Sequence, residues 1–147
     1  RVSEELYNSW MKCELAEGDI LLTSEAPCGE FFYLVGKTKY CLSQRLFAIR
    51  GNQNKIHHSY LFFELSKGNG ISQILGKVSG STVFGIRQDE LRTVNILIPK
   101  MNLQLDFSEI ILPIYSQIRN LEYQTERLAS LRDWLLPMLM NGQVRVS

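Results

Sequence analysis

The spacing of apolar residues changes along the chain. Ile20-Leu21-Leu22-Thr23 is a short continuous apolar run after the turn signal Glu17-Gly18-Asp19, and it predicts a buried strand. Ala26-Pro27-Cys28-Gly29 breaks that strand, and Phe31 to Val35 forms a second apolar run. Gly36-Lys37-Thr38-Lys39 has the composition of a hairpin-type connection. From Leu42 to Ile49 the alternation is imperfect, with Leu42, Leu46 and Phe47 apolar and Gln44 and Arg45 polar. A strand ending at Arg50-Gly51-Asn52 is the reading that fits. The first fifty residues are therefore expected to be mostly β.

Beyond them the period shifts. Tyr60, Leu61, Phe62, Phe63 and Leu65 follow Ser59 and precede Gly68 and Gly70. This predicts a short helix, capped by Ser59 or an earlier residue and stopped by the glycines. The stretch from Ile71 to Val78 fits helix and strand equally. Val94, Ile96 and Ile98 alternate with Asn95 and Leu97, which predicts a strand ended by Pro99.

The last third carries a heptad. Ile111, Ile114, Ile118, Leu121, Thr125 and Leu128 follow one another at spacings of three and four, and the stripe then shifts to Leu131 and Leu135. Asp106 or Ser108 is placed to cap a helix here, Pro113 to bend its first turns, and Asn141-Gly142 to stop it. The prediction is a helix of about thirty residues, ~45 Å long at ~1.5 Å per residue. One reading packs it on its own domain. The other, which the length and the heptad favour, pairs Ile114, Ile118, Leu121, Leu128, Leu131 and Leu135 with a second helix.

Composition narrows this picture. A chain of 147 residues with 45% hydrophobic and 21% charged residues has a core to build, so wholesale disorder is excluded. It is long enough for one domain, or one domain plus an extra element. No apolar run approaches the length of a membrane span, and RVSEELYNSW has no apolar signal core; it opens on Arg1 and not on an initiator methionine, so the chain is expected to be cut from something longer. Cys13, Cys28 and Cys41 are odd in number and far apart, as expected of free thiols in a reducing cytoplasm. His57 and His58 are adjacent and diverge, so no metal site is expected.

The net charge of +1 hides an asymmetry. Residues 1–30 carry two basic against seven acidic side chains, a net of −5. Residues 37–87 carry Lys37, Lys39, Arg45, Arg50, Lys55, Lys67, Lys77 and Arg87 against Glu64, a net of +7. A block this one-sided suits a polyanionic partner. A basic face balanced by the acidic N-terminal segment after folding suits the numbers equally well.

The stretch VSGSTVFGIRQDEL, residues 78–91, holds the remaining candidate chemistry. Gly80 and Gly85 have phosphate-loop spacing, but Ile86 and Arg87 follow where a P-loop needs lysine and a hydroxyl. There is no dinucleotide fingerprint and no nucleophile elbow. The cofactor-binding and base-flipping motifs of a DNA methyltransferase are absent too. No catalytic, cofactor or metal residue is assigned, and the chain is expected to be non-catalytic. Ser81 and Thr82 can donate to phosphates, and Arg87 can reach a phosphate or a guanine edge. A plain turn with a solvated Arg87 is the blander reading.

Four stretches taken in order resemble the specificity subunit of type I restriction–modification systems. GDILLTSEAPCGE (18–30) looks like a strand-and-turn segment of its target recognition domain, and LSQRLFAIRG (42–51) like the following strand. GSTVFGIRQDELRTVNILIP (80–99) looks like its Gly-Ser-Thr loop and the strand beyond, and LASLRDWLLPMLMNGQVRV (128–146) like the end of its helical spacer. The resemblance implies an α+β fold: a small β-rich recognition domain, here partial, over residues 1–100, then a coiled-coil-type helix over 101–147. It implies binding of double-stranded DNA at one half of a bipartite target. It also implies assembly with methylation and restriction subunits, and pairing with a second spacer helix from the parent chain or another copy. The subunit catalyses nothing and needs no cofactor of its own. Lys37, Lys39, Arg45, Lys55, Lys77 and Arg87 are the candidates for positioning DNA by its backbone, with Ser81 and Thr82 beside them. Gln44 has the chemistry to read adenine, although a buried structural glutamine is the expectation. The rival reading is a protein-interaction module whose function is the heptad helix.

Overall fold

The computed structural model describes residues 2–36, 39–79 and 85–143. The fold is α+β, with a three-stranded antiparallel sheet, several short helices and a long C-terminal helix, as expected. Eight elements occur among the described residues: α1 (Glu4–Trp10), β1 (Ile20–Thr23), β2 (Phe31–Tyr33), β3 (Leu46–Ile49), α2 (His58–Ser66), α3 (Asn69–Gly76), α4 (Gln88–Leu91) and α5 (Met101–Met140). The chain divides into two compact units, Arg1–Ser108 and Glu109–Ser147.

In the first unit the sheet order is β2-β1-β3, with Ile20 opposite Tyr33 on one side and Ile49 on the other. Ile20 and Leu22 are completely buried while Leu21 and Thr23, alternating with them, are half-buried, the period of two that a strand imposes. Helix α2 packs against β2 and α3, and Leu61, Phe62, Leu65 and Ile74 close the core. Gly18 has φ +87° and lies on the His58 ring, where an added Cβ would meet Cγ at 2.9 Å. Only glycine suits both the left-handed turn and the close approach.

Several expectations change. Helix α1 had no periodic signal, yet Ser3 caps it, accepting from Leu6 N–H at 3.3 Å, with Glu4 and Glu5 in the first turn. The third strand starts at Leu46, and Gln44 and Arg45 form the turn before it. Gly70 does not end α2; it lies inside α3, which settles the ambiguous stretch from Ile71 as helical.

The strand expected over Val94–Ile98 does not form. Among the described residues no strand pairs with this segment, and side chains hold its backbone instead. The Gln73 amide grips Asn95 at both main-chain groups, accepting from N–H at 3.0 Å and donating to C=O at 2.7 Å. Tyr60 donates to Leu97 O at 3.1 Å, and Gln104 to Pro99 O at 2.8 Å. Alternating apolar residues report an extended chain, and a ladder additionally needs a partner.

Helix α5 begins at Met101, not at Asp106 or Ser108, which lie inside it, and it runs for 40 residues in place of about thirty. Gln104 and Ser108 are buried, so the first turns are held by tertiary contacts that no cap pattern announces. Pro113 and Pro137 are both accommodated within the helix. The predicted stop holds: Gly142 adopts φ +68° and its N–H bonds Leu139 O at 3.1 Å.

Candidate nucleic-acid interface

Ser24 organises one end of the sheet. Its N–H donates to Arg45 O at 2.9 Å, and its carbonyl accepts from Ile86 N–H at 2.9 Å. Glu25 forms an isolated bridge with Gly85. An added Cβ at Gly85 would stand 2.8 Å from the Ser24 carbonyl oxygen, so the close approach of these backbones requires glycine. The result carries the backbones of Arg45 and Arg87, 42 residues apart in sequence, to neighbouring positions about Ser24. Both arginines are exposed.

Arg87 immediately precedes α4, where its N–H is held by the Glu90 carboxylate at 3.3 Å. Gln88 and Arg92 are exposed at the two ends of this helix. Neither was singled out from sequence, because the helix opens on arginine and not on a residue that announces a cap.

The acidic N-terminal segment does answer part of the basic block. Glu14 lies 3.9 Å from Lys39, whose ammonium also stands 5.4 Å above the Tyr7 ring. Glu25 pairs with Arg45 at 3.2 Å. Asp19, almost completely buried, pairs with Arg50 at 2.6 Å. Burial alone would raise the Asp19 carboxyl. The hydrogen bond and charge of Arg50 and the Ala16 N–H outweigh it and hold the group below the ordinary carboxylate range. The hydrogen bond to Asp19 in turn raises the Arg50 guanidinium, against its partial burial. Arg50 is thus part of the fold, while Arg45 and Lys39 hold solvent-exposed pairs that cost little to exchange for phosphate.

The other candidates are dispersed. Lys55 is exposed in a turn whose carbonyl accepts from Gln104 at 3.3 Å. Lys77 caps the C-terminal end of α3 and is half-buried. Lys55, Lys77 and Arg87 form no ion pair with a described residue. Gln44 is exposed, not buried, and its side chain bonds no described residue, which corrects the structural role expected for it. Lys37, Ser81 and Thr82 lie outside the described residues.

The second unit presents its seam. Ile114, Ile118, Leu121, Leu128 and Leu131 are all exposed, and Leu135 is half-buried. Tyr123, Arg127 and Trp134 line an open hollow that also takes in Leu128 and Leu131 of the seam. Arg127 stands 5.8 Å from the centre of the Tyr123 ring. Their spacing of four and seven residues was visible in the sequence but masked by the stronger aliphatic stripe.

Among the described residues no helix is long and apolar enough to cross a membrane. The family described as the type I restriction modification DNA specificity domain matches residues 2–129. The chain is 25% identical over 129 residues to a protein of Methanocaldococcus jannaschii named as the type I restriction enzyme MjaX specificity subunit; the match covers 87% of this chain and 29% of that one. It is 29% identical over 76 residues to the type I restriction enzyme MjaIX specificity subunit of the same organism, covering 52% of this chain and 18% of the other. The chain thus spans less than a third of these relatives.

Proposed function

The chain belongs to the type I restriction modification DNA specificity domain family, and from that premise we propose that it recognises one half of a bipartite sequence in double-stranded DNA. The observation that carries this reading is the family match over residues 2–129, which includes the whole Arg45–Ser24–Arg87 end of the sheet. In this reading Arg45 and Arg87 grip phosphates on neighbouring backbones, with Lys39, Lys55 and Lys77 as further positioning contacts. Gln44, exposed in the turn beside Arg45, is free to read a base edge. Ser81 and Thr82 keep their proposed phosphate role.

The chain does no chemistry of its own in this proposal. Methylation and restriction subunits of the same system supply it, and the chain directs them to the target. The exposed seam of α5 pairs with a second spacer helix, which sets the distance between half-sites. Work in the cytoplasm, where chromosomal and incoming DNA meet, follows from that role.

A second reading has one observation in its favour: the run of exposed leucines and isoleucines along α5. It makes the chain a protein-interaction module with no DNA role. A genome-wide map of methylated bases, with and without the parent gene, separates the two. Loss of one split motif supports DNA recognition; an unchanged map in a strain whose methylation subunit is active favours the interaction module.

A further inference from the structure

The first two turns of α5 meet the start of α2 through uncharged contacts. Gln104 is completely buried and its amide serves three main-chain groups. Its Oε1 accepts from His57 N–H at 2.7 Å, and its Nε2 donates to Lys55 O at 3.3 Å and Pro99 O at 2.8 Å. The hydroxyls of Ser59 and Ser108 are 2.6 Å apart, and each lies 2.9 Å from His57 Nδ1.

The protons of this triangle can be counted. Ser108 donates to Gln104 O at 2.7 Å, so towards the other two groups its oxygen accepts. Ser59 then donates to Ser108, and His57 N–H at Nδ1 donates into the pair. This leaves His57 Nε2 as the position that gains a proton in acid. His58 Nδ1 is hydrogen-bonded to the Tyr33 hydroxyl, which can serve as donor or acceptor. The two imidazoles have centroids 4.2 Å apart, so one charge opposes the next. Gly18 also lies close against the His58 ring.

We propose that this cluster is an acid-sensitive clasp. With both histidines neutral it fastens residues 101–108 to the N-terminal end of α2, and protonation of the pair undoes that attachment while the β1–β3 sheet stays folded.

The surroundings favour the neutral pair. Burial pushes His57 below the ordinary histidine value, and burial followed by the charge of His57 does the same to His58. Glu17, in the turn carrying Gly18, opposes this for His58, and Asp19 beside it is engaged by Arg50. From β2 comes Tyr33, and from α5 the uncharged Gln104 and Ser108. A lowered folded-state value means the unfolded chain takes up protons first. The clasp is therefore complete above about pH 6.5 and is lost as the pH falls through the lower folded-state values. None of this depends on DNA binding.

Amide exchange of the full chain tests it, corrected for the intrinsic pH dependence of exchange and followed from about pH 8 to about pH 5, with histidine ring resonances recorded alongside. The expected result is a fall of about tenfold or more in protection of residues 101–108 and 58–61 as the two histidines titrate, with Ile20–Thr23 still protected. The double variant His57→Asn/His58→Asn keeps a polar atom near each Nδ1 and cannot gain charge, so its protection should not change with pH. Unchanged protection in the native chain, or simultaneous loss in the sheet, would overturn the proposal. Those two readings decide it even where the variant does not fold.

Discussion

Arg50 holds the Asp19 carboxylate with both arms of its guanidinium, Nε to Oδ1 and Nη2 to Oδ2, each at 2.6 Å. The same Nη2 donates to Glu14 O at 3.0 Å. One residue thus ties the end of β3 to the turn before β1 and to the segment after α1. The geometry is bidentate, which arginine supplies and lysine does not.

Arg50→Ala should destabilise the first unit by about 2–3 kcal/mol, because the Asp19 charge stays buried without its partner; the half-exposed arginine keeps the figure from going higher. Arg50→Lys should recover only part of it. The pair's contribution is present above the ordinary aspartate value of about 3.9 and is lost as the pH falls through the lower folded-state value. Urea denaturation at neutral and acid pH measures both; a native-like midpoint for Arg50→Ala would refute the structural role.

The arginines beside Ser24 are expected to act in DNA binding. Arg87→Ala should weaken binding to duplexes of any sequence and lower the slope of log affinity against log salt by about 0.9. Glu25→Gln should strengthen binding, since it frees Arg45 from its exposed pair. Fluorescence anisotropy across a salt series checks both. An Arg87→Ala titration that overlays the native one at every salt concentration removes this edge from the interface.

Gln104, itself fully buried, bonds three main-chain groups that leucine cannot. Gln104→Leu should therefore cost about 3 kcal/mol despite its similar size, mainly through the orphaned His57 N–H. Thermal unfolding of the variant provides the comparison, and a loss under about 1 kcal/mol would mean water replaces the amide.

On α5, Ile118→Asp with Leu121→Asp should abolish helix pairing by placing two charges in the exposed seam. Sedimentation of the native and variant chains, alone and with the parent protein, reads this directly. Native association that survives the double change would move the contact elsewhere, with Tyr123 and Trp134 as the next to test.

Much of this molecule was legible locally. The buried run Ile20–Thr23, the helix around Tyr60–Leu65, the heptad from Ile111 and the left-handed stop at Gly142 all rest on spacing or turn chemistry within a few residues. The family resemblance was readable for the same reason, since its four stretches are contiguous. Where partners are distant, sequence determined less. Val94–Ile98 looks like a strand until Gln73, Tyr60 and Gln104 are seen holding its backbone. Seven acidic residues in the N-terminal segment did not reveal that Glu14, Asp19 and Glu25 would engage Lys39, Arg50 and Arg45. Nor did the gap between Arg45 and Arg87 reveal that Ser24 would bond both neighbouring backbones. Periodicity and turn preference are properties of a short segment, so the sequence by itself determined those elements. Which buried polar groups find partners depends on contacts made when the chain closes on itself, and only the tertiary structure decided them.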